Sequence, residues 1–220
     1  MINIVVICII IFILYFYAFH PLLLMEDNSE VLKRAKTGDI VMFHSLDNFN
    51  SVFEASYFNH VAIVIVENGK KLILEAFMPS SLHNWTKPIY GNPEKGVVIS
   101  DLENRLNSYR GYVFYKELIK PLSEEVQREF LDYAKWSVNY FEYEKRVVTN
   151  QLRKLLFNES LNRFTNCGEF VYLALVKLGL LNKRMLNENR KYHLKFVNSI
   201  THLNNNGYKK PVYSMQRYFR

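Results

Sequence analysis

Beyond residue 36 the chain alternates between short, continuous apolar runs and longer stretches whose apolar positions recur at helical spacing. The runs Ile40-Val41-Met42-Phe43, Val61-Ala62-Ile63-Val64-Ile65-Val66 and Lys71-Leu72-Ile73-Leu74-Glu75-Ala76-Phe77 have the length and β-branched content of buried strands. The second and third are joined by Glu67-Asn68-Gly69-Lys70, whose Asn-Gly pair favours a tight hairpin. Further strands are predicted over 97–100 and 111–115, giving a sheet of about five strands. A turn of amphipathic helix over 30–36 precedes the first strand, and the Pro-, Gly- and Asn-rich stretch 80–96 reads as a surface loop.

Two longer helices follow. Pro121 and Ser123 start the first, with Glu124 and Glu125 in its opening turn and Val126, Phe130, Tyr133 and Ala134 on one face. The second opens at Thr165-Asn166-Cys167-Gly168-Glu169, runs through an apolar stretch from Phe170 to Leu178, and stops at Gly179. Between Glu142 and Leu161 the polar and basic sequence predicts an irregular segment or a short helix covering the site.

The N-terminus has a different pattern. From Ile2 to Met25 the residues are almost wholly apolar, interrupted by Asn3 and His20-Pro21, and a bilayer span needs about 20 such residues. Tyr15, Phe16, Tyr17 and Phe19 crowd the place where a signal peptide would be cut, so an uncleaved transmembrane helix is expected. The basic cluster Lys33, Arg34 and Lys36 after this stretch puts the rest of the chain on the cytoplasmic side. The expected organisation is a membrane anchor over 1–25, a linker over 26–36, and one domain over 37–220 ending in a basic segment.

Charge and cysteine content narrow the partners. The 220 residues carry a formal net charge of +7, much of it late in the chain at Lys183-Arg184, Arg190-Lys191, Lys195, Lys209-Lys210, Arg217 and Arg220. Such a balance suits a domain held beside anionic lipid. There is no zinc-finger spacing, helix-turn-helix signature or aromatic RNA-binding motif, so no nucleic-acid partner is expected. Cys8 and Cys167 are the two cysteines, and with Cys8 in the apolar stretch no disulfide can form within the domain. A lone thiol fits a reducing compartment.

The chemistry centres on that thiol. Asn166 is a natural N-cap and Glu169 stands in capping-box position, which places Cys167 in the first turn of a helix. Unpaired N–H groups and the positive end of the dipole there favour a thiolate and can bind an oxyanion. Most free cysteines are merely small buried hydrophobes, so a separately placed base is needed. His60 supplies one: it opens a strand, and Glu75 lies at the same end of the hairpin, where it can hold one ring nitrogen while the other faces the thiol. A carboxylate within the apolar run 72–77 itself requires a partner. Cys167, His60 and Glu75 are therefore the candidate nucleophile, base and orienter. His44 and His83 are read as rim residues, the loop around Trp85 as a cover for the core, and the scattered histidines as forming no metal site.

The segments Thr37-Gly38-Asp39-Ile40-Val41-Met42-Phe43, Asn59-His60-Val61-Ala62-Ile63-Val64, Leu74-Glu75-Ala76 and Asn166-Cys167-Gly168-Glu169-Phe170-Val171 together resemble the circularly permuted branch of the NlpC-type papain-like cysteine hydrolases. That branch includes bacterial and poxvirus-like members and is related to the lecithin:retinol acyltransferase-like proteins. The resemblance spans roughly Thr37 to Gly179 and implies an α+β fold, a small antiparallel sheet packed against helices. It also implies a thiol hydrolase acting on an acyl, peptide or lipid substrate through Cys167, His60 and Glu75, without a cofactor. Two other readings fit the same residues: a lipid acyltransferase using the same thiol, and a non-catalytic, membrane-anchored viral structural or assembly protein. With the apolar N-terminus, the implied location is a viral or host membrane, crossed once. Asp39 reads as turn-forming and Glu169 as a cap rather than as catalytic groups.

Overall fold

The strands are apolar on both sides because the sheet they form is covered on both sides, and this erases the in-out alternation of a half-exposed sheet. The computed structural model describes residues 6–11, 28–44, 60–77, 87–109, 111–143, 164–181 and 212–215. In chain order the elements are α1 (Asn28–Arg34), β1 (Ile40–His44), β2 (His60–Glu67), β3 (Lys70–Ala76), β4 (Val97–Asp101), α2 (Leu102–Ser108), β5 (Tyr112–Lys116), α3 (Glu124–Tyr140), β6 (Glu142–Tyr143), β7 (Phe164–Thr165), α4 (Cys167–Lys177) and β8 (Val212–Met215). Six strands form one antiparallel sheet in the order β4-β3-β2-β1-β5-β8. β6 and β7 pair in parallel as a separate small ladder.

One face carries Ile40, Met42, Val61, Ile63, Leu72, Leu74 and Phe114, packed against Phe130, Ala134 and Val138 of α3 and Phe170, Val171, Ala174 and Leu175 of α4. The opposite face carries Val41, Phe43, Ala62, Val64, Ile73 and Tyr115, covered by Val31 of α1 and Leu102 and Leu106 of α2. The β2–β3 hairpin turns on Asn68 (φ 49°) and Gly69 (φ 77°), two consecutive left-handed residues. That geometry matches the right-handed twist of the flanking strands. Ser123 caps α3 as the sequence predicts, its side chain accepting from the Val126 N–H.

Three features differ from expectation. The sheet gains a sixth strand, β8, which pairs with β5 from about a hundred residues further along the chain. The short helix α2 follows β4 directly, its N-terminus capped by Asp101, whose side chain accepts from the Asn104 N–H. The expected transmembrane helix is not found: no helix among the described residues is long and apolar enough to cross a membrane. Of the stretch 2–25 only residues 6–11 are described, and these are helical. Anchoring in a lipid bilayer through this segment, the single-pass membrane location, and the cytoplasmic placement argued from it are corrected accordingly.

Candidate active site

Two of the candidate residues come from one hairpin. His60 is the first residue of β2 and Glu75 the penultimate residue of β3, at the end of the ladder remote from the Asn68-Gly69 turn. Glu75 stands opposite Ala62, so His60 is its diagonal neighbour on the same face. The imidazole Nε2 lies 2.8 Å from Glu75 Oε2. Phe43, paired with His60 across β1 and β2, sets its ring 5.3 Å from the imidazole.

The third residue comes from the other side of the sheet. Cys167 is buried at the first position of α4, which packs on the face opposite His60 and Glu75. The Asn166 side chain accepts from the Glu169 N–H at 2.9 Å, and the Asn166 carbonyl accepts from the Phe170 N–H at 2.9 Å. The N–H groups of Cys167 and Gly168 precede the first bond of the helical ladder and lie in the same turn as the thiol. Such a pair can receive the negative charge of a tetrahedral intermediate.

The imidazole joins the two halves. It hydrogen-bonds the Cys167 thiol as well as Glu75. Glu75 occupies Nε2, so the nitrogen facing sulfur is Nδ1. Burial works against a charged ring, but the hydrogen bonds and charges of Cys167 and Glu75 outweigh it and lift the imidazole from 6.5 to about 9. His60 thus holds its proton at neutral pH. Burial likewise disfavours an ionised Glu75, yet the Arg105 charge, with the bond and charge of His60, brings its carboxyl from 4.5 down to about 2.

Arg105 is the group that sequence reasoning missed. It projects from α2, is buried, and donates Nε to Glu75 Oε1 at 2.8 Å and to Oε2 at 3.1 Å, with Nη2 also 3.1 Å from Oε2. Its guanidinium lies 4.6 Å from the Phe43 ring centroid and 5.4 Å from that of Tyr109. The available signal was indirect: a carboxylate inside an apolar strand demands a cation, and Arg105 stands between Leu102 and Leu106 in a segment that buries one face.

The remaining polar residues fall into place around this core. Asp39 accepts from the Leu118 N–H at 2.7 Å through Oδ1, and from the Lys36 N–H at 2.9 Å and the Tyr115 hydroxyl through Oδ2. It ties the entry of β1 to the end of β5. Burial raises its carboxyl from 3.8 to about 6 despite those bonds. His44 is not a rim residue: it is buried at the end of β1, its ring 6.1 Å from that of Tyr112. His83 and Trp85 lie outside the described residues. Among the described residues no group of three or more His, Cys, Asp and Glu side chains is placed to hold a metal ion.

No protein-family model matches the chain, and no match is found among curated proteins. Among solved structures the chain is similar to the metalloprotein yiiX of Escherichia coli O157:H7, at 16% sequence identity and a TM-score of 0.46, over 82% of this chain and 89% of that one.

Proposed function

We propose that the protein is a cysteine hydrolase that cleaves an amide, ester or thioester through an acyl-enzyme, as the resemblance of its Cys167, His60 and Glu75 segments to the permuted papain-like hydrolases implies. The observation that carries this reading is the imidazole of His60, bonded on one side to Glu75 Oε2 at 2.8 Å and on the other to a thiol at a capped helix N-terminus. The Cys167 sulfur adds to the substrate carbonyl carbon, and the oxyanion that forms is met by the N–H groups of Cys167 and Gly168. The Nδ1 proton of His60 passes to the leaving nitrogen, oxygen or sulfur as its bond to the carbonyl carbon breaks. Water then adds to the thioester, its proton returns to Nδ1, and the thiolate is expelled with release of the acid. Glu75 keeps Nδ1 aimed at sulfur and stabilises the charged ring throughout.

Alkylation by iodoacetamide tests the reading without knowledge of the substrate. Labelling of Cys167 that persists below pH 7 and slows by about 10²-fold or more in His60→Gln supports it. Labelling with the profile of an ordinary thiol, indifferent to His60, removes the basis for catalysis.

A further inference from the structure

We propose that Arg105 is a positioning residue of this site, acting through Glu75 to fix the orientation of His60 and to set how tightly the imidazole holds its proton. The inference rests on the cysteine-hydrolase reading and extends the three-residue site to four groups in series: Cys167, His60, Glu75 and Arg105.

Three observations carry it. The first is the shared oxygen. Glu75 Oε2 accepts from His60 Nε2 at 2.8 Å and faces Arg105 Nη2 and Nε at 3.1 Å, while Oε1 takes Nε at 2.8 Å. A carboxylate gripped by a planar fork cannot rotate about its Cγ–Cδ bond, whereas one bonded only to an imidazole can. The second is rigidity: the guanidinium is buried and lies against the rings of Phe43 and Tyr109, and Phe43 also touches the imidazole. One aromatic ring therefore braces both ends of the His60–Glu75–Arg105 array. The third is placement. Arg105 is on α2, on the opposite side of the sheet from the cysteine helix, so it holds Glu75 from the side remote from α4.

Charges alternate along the inner part of the series, from imidazolium to carboxylate to guanidinium. Arg105 offsets part of the field that Glu75 exerts on His60, so removing its charge strengthens the hold of the ring on its proton. The titratable and charged side chains seen in contact with Glu75 are His60 from β2 and Arg105 from α2, and those seen with His60 are Glu75 from β3 and Cys167 from α4. Each enters the test.

The full-length protein is compared with Arg105→Lys and Arg105→Gln by NMR titration of the His60 ring and by iodoacetamide labelling of Cys167 at pH 6. Arg105→Gln should raise the His60 midpoint by about one pH unit, whereas Arg105→Lys, which keeps the charge, should leave it near the wild-type value. Both variants lose the fork, and both should label about tenfold more slowly. A His60 midpoint and labelling rate that stay at wild-type values in Arg105→Gln overturn the proposal. If loss of the buried cation unfolds the single variants, the pair Glu75→Gln and Glu75→Gln/Arg105→Gln replaces them, since neither buried charge remains in the double variant. An arginine that acts through Glu75 adds no further loss of labelling there, and a second, additive loss overturns the proposal. Ordinary, His60-independent labelling of the wild-type protein defeats the hydrolase reading itself, whereas wild-type behaviour of the Arg105 variants beside a reactive Cys167 defeats this inference alone.

Discussion

His60 and Glu75 bond at 2.8 Å although they are not partners in the ladder: Glu75 faces Ala62, and the imidazole reaches it along the diagonal of the β2–β3 pair. The contact is fixed by register, because a slip of one residue would send Glu75 to the opposite face of the sheet. What the hairpin supplies is therefore the pairing of imidazole and carboxylate, to which Arg105 adds a fork on the carboxylate from α2.

Truncating the orienter exposes the energetic stake in that contact. Glu75→Ala leaves the Arg105 guanidinium buried without its counter-charge, and breaking a buried pair from one side costs about 3–5 kcal/mol. Urea unfolding of the variant should show a loss of this size. A cost below about 1 kcal/mol would mean that water reaches the pair freely.

Stability should fall towards both ends of the pH scale, for separable reasons. The His60 imidazole is raised from 6.5 to about 9, so its contribution is full below pH 6.5 and is lost as pH climbs through 9. The Glu75 carboxyl is lowered from 4.5 to about 2, so its contribution is full above pH 4.5 and is lost as pH drops towards 2. Denaturant titrations at a series of pH values should show that His60→Gln flattens the decline between pH 6.5 and 9. An unchanged alkaline slope in that variant would assign the decline to other groups.

Asp39 acts in the opposite sense. Its folded-state value near 6 exceeds the ordinary 3.8, so the folded protein holds this proton more tightly and stability decreases as pH rises between those values. Asp39→Asn should abolish that segment of the pH dependence. It also replaces one acceptor oxygen with an amino group, which turns a donor towards the Leu118 N–H in one amide orientation and the Lys36 N–H in the other, at a cost of about 1–3 kcal/mol. Stability curves of the two proteins from pH 3.5 to 7 decide the matter: parallel curves would contradict it.

The parts of this molecule legible in its sequence are those governed by neighbours along the chain. Asn68-Gly69 announces its turn through the two left-handed residues it needs, and the turn in turn fixes which residues of β2 and β3 meet. Asn166 and Ser123 announce helix starts because a cap acts over three residues. Arg105 escaped notice because its burial is decided by Glu75, thirty positions earlier, rather than by the seven residues of its own helix. β8 escaped for the same reason on a larger scale, since its only described strand partner is β5. The apolar stretch 2–25 shows the converse limit: composition alone licensed a span that the described helices do not contain.

The site also has an order of assembly written into its connectivity. Base and carboxylate sit fifteen residues apart on a two-residue turn and meet at small entropic cost, the guanidinium joins from thirty residues on, and the thiol arrives on a helix more than ninety residues beyond Glu75. The imidazole–carboxylate contact is thus closed by local chain, whereas the proposed nucleophile meets the imidazole only when α4 docks on the sheet. On the proposed function, reactivity thus depends on the contact that closes the longest loop of the site.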